Sequence, residues 1–381
     1  MHIQTESNKT NMEDSIKNRS TLAQYLAQAT QGLSYGDALA IVLLGIADCT
    51  KKIAKLVAKG ALADVTVKLE STNVQGETQM QLDILSNDLF IASLEKSGLV
   101  AGIVSEEMNA PVALANPSEQ AQFLVNFDPL DGSSNVAVNV SVGSIFSVLP
   151  TPINHAINDS LTSHACYLQA GVAQLAAGYA LYGPSTMLVI TIGKGTHGFT
   201  LDNEKQEFIL THPAITIPET TSEFSINTSN QRFWESPVQT YVAQCNEGMN
   251  GVRERDFNMR WVASMVADVH RILMRGGVYL YPKDNKLPIK AGRLRLLYEA
   301  SPMSFIMEQA GGKSSTGRVR IMNVKPEDIH QRLAVIMGSR LEVCLIELYH
   351  REFDTSQNYG PKTGIDCFTL CDQQYKEPCV T

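Results

Sequence analysis

Apolar and polar positions divide this 381-residue chain into helical and extended stretches that alternate along most of its length. Residues 1–20 are polar and mixed in charge and are expected to form a flexible tail. Leu22, Tyr25, Leu26 and Ala29 recur at helical spacing and predict a helix from Thr21 to Gln31. The loop Gly32–Gly36 breaks it, Asp37 suits the N-cap of a second helix running to Lys59, and Gly60 is its stop. A polar loop at Glu70–Thr78 leads into a helix over Gln79–Lys96, with Leu82, Leu85, Leu89 and Leu94 on or beside one face and Gly98 at its end. Leu99–Ser105, Phe123–Phe127 and Val136–Leu149 read as strands, followed by strands at Val172–Leu181, Met187–Ile192, Gly198–Leu201 and Phe208–Leu210. Thr211–Pro218 is a plausible domain crossing. Beyond it, a helix is expected over Met259–Arg275, strands over Val278–Tyr281 and Leu294–Tyr298, and a helix opened by Ser301-Pro302 and closed by Gly311-Gly312. The pattern indicates an α/β (α+β) layered fold in two domains, 21–210 and 211–349, with a polar tail over 350–381.

Composition narrows the function classes. With 44% hydrophobic and 18% charged residues the chain is expected to fold compactly. Its 31 basic and 39 acidic residues give a net charge of −8, a poor basis for binding nucleic acid. The longest apolar run, Ala38–Ala47, is about half the length a bilayer span needs. The start of the chain has no basic-then-apolar secretory layout. Seven cysteines, Cys49, Cys166, Cys245, Cys344, Cys367, Cys371 and Cys379, show no zinc spacing and no disulfide framework. The expectation is a cytoplasmic protein with reduced thiols and neither a nucleic-acid nor a membrane partner.

Candidate chemistry sits just past the apolar strands. Glu106-Glu107 follows the run ending at Ser105, Asp128-Pro129-Leu130-Asp131-Gly132-Ser133-Ser134 follows the run ending at Phe127, and Glu299 follows Tyr298. Ligand sites of layered sheets lie at the carboxyl ends of strands. Pro129 restricts both itself and Asp128, so a tight turn can aim Asp128 and Asp131 inward. Gly132 allows close backbone approach, and Ser133 and Ser134 supply donors suited to a phosphate. An all-oxygen ligand set suits Mg²⁺ or Mn²⁺ rather than zinc. A single acidic pair would read as a solvated turn, but three clusters, each after a strand, do not. By contrast, Gly193–Gly198 lacks phosphate-loop spacing and reads as a glycine-rich hairpin, and His270 reads as structural.

On these strings the sequence resembles class I fructose-1,6-bisphosphatase, within the inositol-monophosphatase-like superfamily of metal-dependent phosphatases. The resemblance spans residues 21–349. Besides the strings above, it is carried by Leu82-Asp83-Ile84-Leu85-Ser86-Asn87, Ala177–Gly183, Ser264–Arg271 and Leu294–Glu299. It implies a sugar-phosphatase fold with alternating helix and sheet layers, a homotetramer, and Mg²⁺-dependent hydrolysis of the 1-phosphate of fructose 1,6-bisphosphate in gluconeogenesis. Two or three Mg²⁺ ions per subunit, with Mn²⁺ as the alternative, are implied to bind Glu106, Asp128, Asp131, Glu299 and the carbonyl of Leu130. Asp83 and Glu107 match the pair that orients and deprotonates the attacking water. Glu77 stands where the family has a shorter Asp on a mobile loop over the metals. Asp131, Gly132, Ser133, Ser134 and Arg295 match the 1-phosphate side. Asn227, Tyr281 and Arg260, the last reaching from a neighbouring subunit, match the 6-phosphate side, with Tyr279 on the same strand face as Tyr281.

Departures from the family bear on selectivity and regulation. Trp261 replaces a Tyr, and its indole offers one N–H donor and no hydroxyl. Arg293 replaces a Lys and changes the donor geometry. These keep sedoheptulose-1,7-bisphosphatase activity, alone or as a second activity, as the rival within enzymes. A catalytically silent sugar-phosphate sensor is the rival from another class. Gln122-Phe123 and Leu33–Asp37 lack the charge partners that AMP-inhibited relatives carry, so AMP inhibition is expected to be weak or absent. Charge is divided accordingly: residues 64–135 hold 11 acids against 2 bases, and residues 250–295 hold 10 bases against 4 acids. A small dianionic sugar ester held between the two is the expected partner.

Overall fold

A computed structural model of the protein describes residues 19–63, 68–72, 78–114, 121–152, 163–286 and 291–359. Helix α1 (Leu22–Ala29) opens with a capping box, in which Thr21 Oγ1 accepts from Gln24 N and the Gln24 side chain accepts from Thr21 N. Helix α2 (Gly36–Lys59) begins one residue before the expected Asp37 cap. Asp37 lies instead in the first turn, where its charge suits the helix dipole. A side chain at Gly36 would meet the Thr30 carbonyl, so glycine is needed for the tight turn between the two helices. Helix α3 (Gln81–Ser97) ends at Gly98 in the left-handed conformation.

Strands β1 (Lys68–Thr72) and β2 (Thr78–Met80) form a short antiparallel ribbon. The main sheet comprises β3 (Val100–Ser105), β4 (Val112–Ala113), β5 (Phe123–Asp131), β6 (Val142–Pro150), β7 (Ala176–Tyr182), β8 (Thr186–Thr191), β9 (Thr196–Asp202) and β10 (Glu207–Ile215). Its order is β10-β9-β8-β7-β6-β5-β3-β4, and β3 and β5 are its one parallel pair. Alternation along the strands buries both faces. Phe123, Val125, Phe127 and Phe146 pack with α2 and α3, while Ile145, Ala177, Tyr179 and Val189 pack with α5 (Met265–Arg275) and α6 (Ser301–Gln309).

Behind α5 and α6 lies a second sheet made of β11 (Glu223–Ser225), β12 (Asn258–Met259), β13 (Val278–Tyr281), β15 (Lys313–Ser315) and β17 (Val335–Gly338), in the order β12-β11-β13-β17-β15. Its far face packs Val278, Leu280 and Ile336 against α4 (Ser236–Glu247) and α7 (Arg340–Tyr359). The short pair β14 (Leu294–Arg295) and β16 (Arg332–Leu333) closes the set. The result is an α/β fold in which helix and sheet layers alternate.

Several elements differ from the sequence expectation. Residues 133–138 form a 3₁₀ turn ended by Asn139 at φ +59, and the strand begins only at Val142. The Val136 and Val138 alternation reflects no sheet face, since Val138 is 68% exposed. The expected strand Leu294–Tyr298 stops at Arg295, and Leu296–Ala300 winds into a π-helical turn. All five residues of that turn are buried, and a run buried on every side carries no periodicity to separate strand from helix. The helix expected from Met259 starts at Met265, because Ser264 caps it. Helix α4, with Pro237 in its first turn, lies where the sequence pattern predicts no element. Helix α7 runs on to Tyr359, past the expected tail start at residue 350, because His350 is buried and tied to the Ile346 carbonyl at 2.8 Å. Gly193–Gly195 does turn the antiparallel β8–β9 hairpin. Cys49, Cys166 and Cys245 are free and buried, whereas Cys344 is disulfide-bonded, against the expectation of reduced thiols throughout.

Candidate active site

The parallel β3–β5 register pairs Ser105 with Phe127 and so sets Glu106 beside Asp128; Glu106 N donates to the Phe127 carbonyl at 3.2 Å. Strand β5 does not end at Phe127 but continues to Asp131, with a register shift against β6 between Asp128 and Asp131. Pro129 sits in that irregularity, where its missing N–H costs no ladder bond. Leu130 N donates to Asp128 Oδ1 at 2.9 Å, and Ser144 Oγ donates to the Pro129 carbonyl at 2.7 Å. This bulge turns both Asp128 and Asp131 into the protein interior.

The second domain completes the cluster. Asp131 Oδ2 accepts from Ser264 Oγ at 2.7 Å and from Val266 N at 2.9 Å, at the N-terminus of α5. Glu299, on the π-helical turn, accepts from Arg295 N at 2.6 Å. Asp128, Asp131 and Glu299 each offer a carboxylate oxygen, and these oxygens all lie within 4.8 Å of one another. Glu106 hydrogen-bonds Asp128 and pairs with Arg295 Nη2 at 2.8 Å, while Arg295 Nη1 lies 3.7 Å from Glu299. The guanidinium assigned from sequence to the substrate phosphate is therefore a countercharge to two of the acids.

Electrostatics mark the same place. Burial, then the carboxylates of Glu106, Asp131 and Glu299, hold the Asp128 pKa well above its usual value. Burial raises Asp131 against the opposing bonds from Val266 and Ser264. Glu299 is pushed to about 8, chiefly by burial, with Arg295 opposing and Glu106 adding to the rise. Asp83, at the start of α3, is raised to about 7 by burial; it is tied to Met80 N at 2.7 Å, lies close to Glu107 and hydrogen-bonds Ser133. Like charges packed out of water cannot all ionise unless a cation joins them. The donor set is oxygen alone, buried and convergent, which fits a hard divalent ion such as Mg²⁺ or Mn²⁺.

The remaining predicted residues fall into two groups. Gly132 takes φ +75, a left-handed conformation, and a side chain there would meet Ser264 Cβ at 2.8 Å. Ser133 and Ser134 open the 3₁₀ turn behind it. Asn227, Trp261 and Tyr281 line one recess together with Asn230, Trp234 and Asp284. Trp261 stacks on Tyr279 with ring centroids 6.1 Å apart and 8° between planes. Tyr279 and Tyr281 rings are 6.4 Å apart on the same face of β13. Arg293 Nε donates to Asp284 Oδ2 at 2.9 Å, so its charge is met within the chain. Arg260 is 56% exposed, with Nε 3.9 Å from Glu223 Oε2. Glu77 lies outside the described residues.

Several residues went unread in the sequence. Asp268, wholly buried, accepts from Val262 N, Ala263 N, Ser225 Oγ and Arg271 Nη1 and so holds the loop that carries Arg260 and Trp261. Ala263 in that loop takes φ +68, which those bonds stabilise. Ser264 is of a residue type that caps helices, but its bond to Asp131 crosses the fold. His270 donates or accepts at Tyr179 Oη, 2.8 Å away in the interior, as a structural histidine would.

Two comparisons bear on this geometry. Residues 20–213 match the family described as "Fructose-1-6-bisphosphatase, N-terminal domain", and residues 217–351 match "Fructose-1-6-bisphosphatase, C-terminal domain". Among solved structures, the holo form of Leishmania major fructose-1,6-bisphosphatase aligns with a TM-score of 0.81 at 38% identity, covering 88% of this chain and 99% of that one. The apo form aligns at 0.78 and 37%, covering 88% and 100%, and the T-state at 0.77 and 37%, covering 87% and 99%.

Proposed function

The chain belongs to the fructose-1,6-bisphosphatase family and is a phosphatase, and from that premise we propose that it releases the 1-phosphate of fructose 1,6-bisphosphate with Mg²⁺ as cofactor. The observation that carries this reading is the convergence of Asp128, Asp131 and Glu299 within 4.8 Å in the interior. Bound there, a divalent ion supplies Lewis acidity and neutralises charge on a phosphoryl group. Glu106 would complete the ligand set, and Arg295, paired with it at 2.8 Å, is the cation assigned to the substrate phosphate. Gly132, Ser133 and Ser134 present backbone and hydroxyl donors to the same phosphate. Asp83 and Glu107 orient the attacking water, and a carboxyl near pH 7 at Asp83 suits exchange of its proton.

At the far end of the sugar, Asn227 and Tyr281 bind the second phosphate and Trp261 supplies an apolar wall. Arg260, exposed within one chain, is assigned to a neighbouring subunit's site in a homotetramer. We take the two domains as 21–210 and 211–349, with β10 (Glu207–Ile215) running across the boundary and the metal ligands mostly in the first. We assign the reaction to gluconeogenesis and the protein to the cytoplasm. Among the described residues no helix is long and apolar enough to cross a membrane.

Phosphate release from fructose 1,6-bisphosphate and from sedoheptulose 1,7-bisphosphate, each titrated with Mg²⁺, tests the proposal. Faster release from the fructose ester supports it. Preference for the sedoheptulose ester reassigns the substrate, and no release from either leaves a sugar-phosphate sensor.

A further inference from the structure

His330 lies on the segment leading into β16 and is absent from every role above, yet both its ring nitrogens are engaged. Nδ1 is 2.8 Å from Tyr298 Oη, and Nε2 is 3.0 Å from the Met108 carbonyl oxygen. A carbonyl oxygen only accepts, so Nε2 carries the proton. The neutral ring then accepts at Nδ1 from the Tyr298 hydroxyl. The tautomer is fixed by its partners. The rings of His330 and Tyr298 meet edge-on, at 71°.

The two partners belong to the two halves of the candidate metal centre. Met108 closes the turn that bears Glu106 and Glu107; its amide donates to the Ser105 carbonyl at 3.3 Å. Tyr298 precedes Glu299 on the π-helical turn. His330 itself is fixed to that turn's strand. Its amide donates to Asp328 Oδ1 at 2.7 Å, Leu296 N donates to the neighbouring Gln331 carbonyl at 2.8 Å, and Arg295 pairs with Arg332. Thus one imidazole joins the Glu106–Glu107 turn of the first domain to the Glu299 turn of the second.

We propose that His330 is a positioning residue for the metal centre, clamping the turn that carries Glu106 and Glu107 at a set distance from Glu299. The proposal rests on the metal-centre reading above. Carboxylates contributed by separate elements hold one ion only while those elements keep their spacing. The donor to Met108 is the part of the ring that spans the two domains. The bond to Tyr298 stays within the second.

Side-chain geometry separates those two bonds. In His330→Gln the amide nitrogen can stand where Nε2 stood and still donate to Met108. In His330→Asn the shorter amide stands nearer Nδ1 and does not reach it. His330→Ala removes both contacts. For His330→Ala and His330→Asn, the Mg²⁺ concentration for half-maximal phosphate release should rise about five- to tenfold. The KM for fructose 1,6-bisphosphate at saturating Mg²⁺ should stay within about twofold, since neither hydrogen-bond partner of the ring, Tyr298 or Met108, is assigned to the substrate. His330→Gln should restore the wild-type Mg²⁺ response. Calorimetric titration of Mn²⁺ into each metal-stripped protein should show the same order without relying on turnover. If His330→Ala does not fold, the Gln and Asn variants carry the comparison. Equal metal responses in the wild type and the Asn variant, or a Gln variant as impaired as the Asn variant, overturn the clamp. An inactive wild type that still binds Mn²⁺ in the predicted order of variants overturns the catalytic reading alone.

Discussion

Removing one hydroxyl, in Ser264→Ala, should weaken both the fold and the metal centre, by separable amounts. Ser264 Oγ donates to Asp131 Oδ2 at 2.7 Å, while the same oxygen accepts from Ala267 N at 3.4 Å as the N-cap of α5. A hydrogen bond to a charged acceptor contributes about 1.5–3 kcal/mol. The cap bond is long, which places it near the lower end of the roughly 0.5–2 kcal/mol range for caps. Asp131 keeps its bond from Val266 N, so it is not stripped of donors. The loss is expected at about 2 kcal/mol, because one hydroxyl makes both bonds and the terms do not fully add. Half or more of it falls on the ionised form of Asp131, the form a cation binds. The Mg²⁺ concentration for half-maximal phosphate release should therefore rise about tenfold, the equivalent of about 1.4 kcal/mol. Thermal melting should drop by several degrees. The assay is phosphate release against Mg²⁺ alongside melting of the metal-free protein. A lowered melting temperature with a wild-type Mg²⁺ response would refute the reasoning, since it would leave Ser264 as a helix cap and nothing more.

Gly132→Ala should abolish most activity and lower stability, because the backbone there is left-handed and the added methyl meets Ser264 Cβ at 2.8 Å; an active, stable Ala variant contradicts the tight approach of the two domains at this point. The pH dependence follows from the raised carboxyls. Asp83 near 7 and Glu299 near 8 bind more protons folded than unfolded, where such groups titrate at about 4. Their contribution is complete below pH 4 and is lost as pH rises toward 8, so metal-free protein should melt at falling temperature across that window. Stabilisation by Mg²⁺ should grow over the same window, and a pH-independent Mg²⁺ shift counts against the cluster as its site. AMP should inhibit weakly or not at all, since Gln122-Phe123 offers no cation at the head of β5; half-inhibition at micromolar AMP sinks that expectation.

The sequence made the first-domain half of the site legible and much of the second-domain half opaque, for a physical reason. Asp128 and Asp131 announce themselves because Pro129, Gly132 and two serines impose a local geometry that any reader of propensities can follow. The strand ends that set Glu106 beside Asp128 follow from two short apolar runs. The layered fold follows from the alternation of helix and strand patterns. Contacts that join distant segments leave no such trace. Ser264 to Asp131, Asp268 to the Val262–Ala263 amides, and His330 to Met108 each depend on the tertiary path of the chain. Residues 296–300 show the complementary limit, since their complete burial hides the π-helical turn that aims Glu299 inward. Arg293 and Arg295 were legible as cations but not as partners of Asp284 and Glu106, because charge can be counted along a chain while its pairing cannot.

The proposed chemistry requires the buried carboxylates to work through a divalent ion. Wild-type protein and Asp131→Ala, both stripped with a chelator, should be given fructose 1,6-bisphosphate and followed for free phosphate as Mg²⁺ is returned. No release is expected before Mg²⁺ is added, with full recovery in the wild type and none in the variant at any Mg²⁺ concentration. Release by the chelator-treated wild type, or near-normal recovery in Asp131→Ala, would contradict that chemistry.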